Sequence, residues 1–221
     1  MKLSKRLNEI CNLVSKESVI ADVGSDHGKV VAKLFLDNKI NYAFVTDISA
    51  PSVKKAENLL IDLNIDKSKY NIVVCDGLKG VQTDFIDLVI IAGMGGLEII
   101  KILQENNIKV TNFILAPNNN EFSLRKYLNK NNYKILTDFV VKDNNKYYNI
   151  IKVEKGKQKL NKMYFYFGKI NFLNKSEDFI QFLQFEENKS KNLLTKLPLL
   201  KKIKMKKYLN IINVANKKLR G

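Results

Sequence analysis

The sequence predicts an α/β protein: an open sheet of five parallel strands closed by an antiparallel hairpin, seven strands in all, followed by a small α-helical hairpin. Three observations carry this expectation. Short apolar runs alternate with helical stripes as far as Lys130. Four of those runs end in a glycine or acidic cluster, and the final third abandons the alternation for two lysine-rich amphipathic stripes.

The elements follow in order. Leu3, Leu7, Ile10 and Val14 form a helical stripe. Residues 19–23 read as a buried strand, and Gly24-Ser25-Asp26-His27-Gly28 as a tight turn opening a helix through Val30, Val31, Leu34 and Phe35. A second strand, 42–46, is closed by Asp47, and Ser49 caps a helix over 50–63. The third strand, 71–75, ends at Asp76-Gly77. The fourth, 85–92, leads through Gly93-Met94-Gly95-Gly96 into a helix with Leu97, Ile99, Ile100 and Leu103. A fifth, 112–116, stops at Pro117-Asn118, where proline removes a ladder donor. After a helix over 121–130, the runs 133–141 and 147–153 flank the polar segment 142–146 and read as a hairpin.

Four clusters at the carboxyl ends of strands describe a ligand site, because open α/β sheets bind ligands there. Asp47 is placed to accept hydrogen bonds from both hydroxyls of a ribose, so the ligand contains a nucleoside. The glycine spacing separates the candidates. A dinucleotide turn of the form G-x-G-x-x-G admits a pyrophosphate, whereas here Asp26 takes the second glycine position and its carboxylate would repel phosphate. S-adenosylmethionine has no phosphate and carries cationic sulfonium and ammonium groups, which suit the acidic set Asp22, Asp26, Asp47 and Asp76. A nicotinamide oxidoreductase stays open as an alternative, separable by titration with each cofactor.

The 221 residues are 45% hydrophobic, enough for one full core and a smaller appendage. The opening stripe is broken by Lys5, Arg6 and Glu9, so neither a leader peptide nor a membrane span is expected, and a cytoplasmic protein is. Cys11 and Cys75 lack metal-ligand spacing and the chain has one histidine, so no metal site is expected. The net charge is +16, unevenly spread: residues 1–150 hold 20 Lys+Arg against 17 Asp+Glu, and 151–221 hold 18 against 5. That asymmetry points to a polyanion meeting the tail. The polar stretch 154–159 marks the expected boundary between a catalytic domain, 1–154, and a basic helical, coiled-coil-like domain, 155–221. Within the latter, one helix near 176–196 and another near 200–219 form the hairpin. Lys201, Lys202, Lys204, Lys206 and Lys207 crowd the second helix's first turns, where mutual repulsion costs stability unless a polyanion neutralises it.

An antiparallel end to the sheet is characteristic of Rossmann-like class I methyltransferases. The chain further resembles one family, the bacterial tRNA adenine-N1 methyltransferases that act on adenine-22. The resemblance rests on residues 4–7 (S-K-R-L), 21–27 (A-D-V-G-S-D-H), 76–78 (D-G-L) and 91–96 (I-A-G-M-G-G). Pro117-Asn118 with Leu124-Arg125, and Lys146-Tyr147-Tyr148, complete it. It implies S-adenosylmethionine as cofactor and tRNA as partner. The cofactor residues implied are Asp22, Gly24, Ser25, Asp47, Ile48, Asp76, Gly77, Leu78, Gly93 and Met94, and Lys5, Arg6 and Arg125 join the five tail lysines as tRNA contacts.

Adenine N1 keeps a neutral lone pair at pH 7 and attacks a sulfonium methyl without a base, so positioning and water exclusion supply the catalysis. N1 lies on the pairing edge, and the base must be unpaired or extruded. Asp26 as a carboxylate would accept from the exocyclic amine and favour the cationic product, and Asn118 would read the same edge. His27 is either an acid/base group or a cap at the helix entrance. A same-fold methyltransferase of another RNA or of DNA, and a catalytically silent RNA-binding protein, are the alternatives. A monomer is slightly favoured.

Overall fold

The computed structural model describes every residue except 17, 26, 106–108 and 221. Seven strands form one sheet in the order β3-β2-β1-β4-β5-β7-β6. They are β1 (Ser18–Val23), β2 (Ile40–Asp47), β3 (Tyr70–Val74), β4 (Leu88–Ala92), β5 (Asn112–Ala116), β6 (Tyr133–Asp143) and β7 (Lys146–Lys155). The first five run parallel, and β7 joins antiparallel to both β5 and β6. Chain order reverses direction across the sheet between β1 and β4, which opens a crevice at their carboxyl ends.

Strand period puts alternate residues on opposite faces, and each face has its own core. Ile20, Leu88, Ile90 and Ile114 pack under α1 (Lys5–Asn12), α2 (Lys29–Leu36) and α3 (Ala50–Asp62). Ala21, Val89, Ile91 and Phe113 pack under α4 (Gly96–Leu103) and α5 (Glu121–Lys130). Such doubly buried strands explain why β1 and β4 read as continuous apolar runs. Ser4 caps α1 by accepting from Leu7 N, and Ser49 caps α3 by accepting from Ser52 N, as expected of serine at helix starts.

Several boundaries differ from the sequence expectation. The fourth strand begins at Leu88, with Phe85 exposed in the preceding turn. The supposed 142–146 loop is mostly strand: Asn144 and Asn145 alone turn the chain, at φ 48° and 62°, the paired left-handed conformation of a tight hairpin. Two short helices, α6 (Lys162–Phe167) and α7 (Lys169–Asn174), fill a stretch that carries no clear period. They precede the expected pair, α8 (Glu177–Leu194) and α9 (Leu199–Arg220). A third core joins these helices to the sheet through Val140 of β6, with Phe167, Phe172, Phe179, Leu183, Ile212 and Ala215.

Arg125 corrects one expectation. It is wholly buried rather than presented to a nucleic acid. Its Nε and one terminal nitrogen each donate to Asp138 at 2.8 Å, and that same nitrogen also donates to Asn149 Oδ1 at 2.8 Å. The other terminal nitrogen donates to the Tyr166 carbonyl at 3.1 Å and the Phe165 carbonyl at 3.4 Å. The planar guanidinium thereby ties α5, β6, β7 and α6 together. Removing it strands a buried carboxylate, so Arg125→Ala is expected to lower stability by about 3–5 kcal/mol in denaturant titration. A loss below about 1 kcal/mol would show the pair to be energetically idle.

Candidate active site

The crevice is built from turns that touch one another. Gly24 follows β1 at φ +73°, and the amides of Gly24 and Ser25 both donate to the Thr46 carbonyl of β2, at 2.8 and 3.1 Å. A Cβ on Gly24 would stand 3.3 Å from Met94 Sδ, so the β1 turn and the β4 turn are in contact and only a residue without a side chain fits unstrained. Asp22 is 5% exposed, and burial lifts its carboxyl to about 6, against a smaller opposing pull from the nearby Ser25 hydroxyl and with the charge of Asp47 adding to the rise. Ser25 Oγ is buried with no partner at full hydrogen-bond distance among the described residues.

At the end of β2, Asp47 Oδ1 accepts from Ser49 N at 2.8 Å, which fixes the carboxylate at the mouth of α3. Ile48 beside it is 75% exposed. Thr46 Oγ1 donates to the Gly77 carbonyl at 3.0 Å, joining the β2 and β3 turns, and Leu78 is buried beneath them. Asp76 faces solvent and pairs with Lys79 at 2.6 Å.

On the other flank, Asn118 is locked by three contacts. Its amide N donates to the Met94 carbonyl at 2.9 Å, its Nδ2 to the Gly93 carbonyl, and its Oδ1 accepts from Arg6 at 3.3 Å. Arg6 is held in turn, its guanidinium 4.6 Å above the Tyr148 ring and its backbone N–H on Asp143 Oδ2 at 3.1 Å. The loop after Asn118 presses on the glycine turn so closely that a Cβ on Gly96 would lie 2.8 Å from two of its carbonyl oxygens, on Asn119 and Asn120.

The structure thus gathers Asp22, Gly24, Ser25, Asp47, Ile48, Asp76, Gly77, Leu78, Gly93, Met94 and Asn118 at one end of the sheet. His27 is exposed in the turn just before Gly28, the N-cap of α2. Asp26 lies outside the described residues. Lys5 is engaged with Asp178 of α8 at 2.7 Å. On α9, Lys201, Lys204, Lys206 and Lys207 are exposed and Lys202 half-buried. Sequence reasoning missed Thr46, Asp143 and Tyr148 as supports, since each acts through a partner distant in the chain. Only the adjacent Tyr147-Tyr148 pair beside a polar turn hinted at the last.

Residues 3–151 match the model of a methyltransferase domain family. The tRNA (adenine(22)-N(1))-methyltransferase of Bacillus subtilis is 31% identical over 132 residues, covering 57% of this chain and 53% of that protein. The chain spans about half the length of the curated relatives it matches. Among solved structures, M. capricolum TrmK in complex with S-adenosyl-homocysteine superposes with a TM-score of 0.90 at 26% identity, covering 99% of this chain and 100% of that one. A Streptococcus agalactiae protein of the NADB-Rossmann superfamily gives a TM-score of 0.90 at 28% identity over 96% of both chains. With its sheet order, its glycine turns meeting at the crevice and a family match over more than half its length, the chain belongs to the methyltransferase domain family.

Proposed function

We propose that this protein transfers a methyl group from S-adenosylmethionine to N1 of an adenine in tRNA, adenine-22 as in the name of the Bacillus subtilis relative. The observation that carries the reading is the three-way lock on Asn118. Its fixed orientation leaves one Oδ1 lone pair unspent, enough to accept from the exocyclic amine of adenine while N1 keeps its own lone pair for attack.

The described residues fit the cofactor. The Ser25 hydroxyl is buried beside the desolvated Asp22 carboxyl and, among the described residues, has no partner at full hydrogen-bond distance, so a ligand bringing a hydrogen-bonding cation satisfies both. The ammonium of S-adenosylmethionine is such a group. On this reading Asp22, Gly24 and Ser25 hold the amino-acid end, Asp47 and Ile48 the ribose, and Asp76, Gly77 and Leu78 the adenine, with Gly93 and Met94 closing the site toward Asn118. When bound, the cofactor supplies an electrophilic methyl group on a cationic sulfur. Asn118 accepts from the exocyclic amine of the target base and orients N1, while Asp26 stabilises the positive charge that develops on the ring.

The exposed lysines of α9, with Lys5 and Arg6, supply the phosphate contacts, and residues 155–221 act as the RNA grip of a catalytic unit formed by 1–154. No step calls for a metal ion. We further propose a cytoplasmic monomer; among the described residues no helix is long and apolar enough to cross a membrane.

Three outcomes are expected. Unmodified total tRNA incubated with the protein and S-adenosylmethionine should gain 1-methyladenosine, mapped by nuclease digestion and mass spectrometry to position 22; a methyl group elsewhere in the RNA would overturn the adenine-N1 assignment. Asn118→Ala should keep cofactor affinity while single-turnover methyl transfer falls about ten- to a hundredfold, the loss of one oriented, charge-assisted hydrogen bond of about 1.5–3 kcal/mol. An unchanged rate would remove Asn118 from the reacting edge.

The third concerns pH. Asp22 ionises near 3.8 when unfolded and at about 6 when folded, so the ligand-free protein loses stability as pH rises from 3.8 to 6, by about 3 kcal/mol in all. Asp22→Asn should therefore stabilise the ligand-free protein at pH 7.5 and change little at pH 4. Wild-type affinity for S-adenosylmethionine should climb between pH 5 and 7 as the carboxylate forms, and the variant should show neither the climb nor the full affinity. Identical titration curves for the two proteins would place Asp22 outside the site.

A further inference from the structure

A groove of about 870 Å³ runs from Asn118 between the β6–β7 hairpin tip and the helices α8 and α9. None of the glycine turns of the crevice lines it, and it meets the site described above along Asn118, Asn119, Asn120 and Tyr148. Aromatic faces line it. The Tyr147 ring centroid lies 5.4 Å from that of Phe185 and 5.5 Å from that of Phe182, and Phe185 is 46% exposed although it sits in a concavity. Cations stand against the same rings: Lys189 Nζ is 5.6 Å from the Phe185 centroid and Lys142 Nζ 5.8 Å from that of Tyr147, with Lys146 exposed at the rim.

The acidic groups in the groove are Glu121 and Glu186. Glu186 accepts from the Tyr208 hydroxyl at 2.9 Å and pairs with Lys189 at 3.3 Å, an exposed pair whose two charges offset one another and whose ammonium keeps donors to spare. Exposed π faces beside lysines and a run of asparagine amides suit a nucleobase with its phosphate. Lys142 and Lys189 have protein partners in Gln181 Oε1 and Glu186, so what the groove offers a ligand is its aromatic faces, the exposed Lys146 at the rim and the asparagine amides, polar groups that a nucleotide uses and an apolar peptide does not.

We propose that the groove is a subsite for an unpaired nucleotide flanking the methylated adenine, its base stacked on Phe185 and Tyr147 and its phosphate met by Lys146 and Lys189. The inference rests on the RNA reading above and deepens it. Methylation at N1 demands a base freed from pairing, and extruding it costs each neighbour its stacking on that side. An adjoining aromatic surface compensates the neighbour for its lost stacking. The shared Asn118 corner sets the two bases side by side in consecutive sites.

The test uses the full chain and a short single-stranded RNA carrying one adenine next to the fluorescent base 2-aminopurine. Wild-type protein should quench the 2-aminopurine on binding. Phe185→Ala and Tyr147→Leu should each abolish most of the quenching, weaken RNA binding about tenfold and raise KM for tRNA, with kcat and the Kd for S-adenosylmethionine unchanged. Phe185→Tyr, which keeps a ring, should behave as wild type. Thermal melting checks that the variants fold, and Phe185 is exposed enough for truncation to be tolerated. Quenching and KM unmoved in both folded variants would overturn the subsite. Because quenching does not depend on methyl transfer, a protein that quenches the probe yet methylates no tRNA would refute the proposed function and leave the groove standing.

Discussion

The Arg125–Asp138 pair is the constraint on which the rest of the molecule depends. It lies where α5, the hairpin strands and α6 converge, and it is the one point at which a buried charge links the sheet to the helices that follow it among the described ion pairs. An ion pair out of water is costly to assemble and gains little over apolar packing, but it is intolerant of displacement, since each donor must keep its acceptor. The helices therefore dock on β6 in one register. That register places α8 and α9 beside the hairpin tip and shapes the aromatic groove next to Asn118.

Local rigidity at the crevice has a different source. Backbone approaches do most of the holding: Gly24 against Met94, Gly96 against the Asn119 and Asn120 carbonyls, Ser25 and Gly24 on one carbonyl of β2. Asn118 is oriented by main-chain partners on one side and by Arg6 on the other, and Arg6 leans on the hairpin through Tyr148 and Asp143. The first helix, the glycine turn and the hairpin are far apart in sequence and converge on one amide group. A group so constrained has little conformational entropy left to lose on meeting any ligand.

Much of this was legible in the sequence. The strand ends at Asp22, Asp47, Asp76 and Gly93 announced themselves because a parallel sheet writes its strands as apolar runs and its ligand-binding loops as glycine and acid. Helix α5 was bounded correctly at both ends, since its amphipathic stripe is regular. What failed to show was long-range pairing. Arg125 reads as a surface cation on a polar helix, and nothing local reveals that Asp138 and Asn149 await it. The helices α6 and α7 are only six residues each, too short to display a period, and are held by Phe167 and Phe172 against β6 rather than by propensity. The hairpin loop was overestimated because polar residues at its end belong to strands whose outer positions face water.

The anchoring of α9 is lopsided. Its anchors begin only at Tyr208, with that residue's hydroxyl on Glu186, the buried Ile212 and Ala215, and the hydrogen bond from Asn216 to Glu187, whereas Leu199, Leu200 and Ile203 at its start are exposed. Local opening free energy follows the density of buried contacts, so it declines toward the amino end of this helix. The lysine-bearing turns sit on that softer end. Hydrogen exchange there should run ahead of the anchored part, and the most densely lysine-bearing turns of the chain are also among those that deform most cheaply.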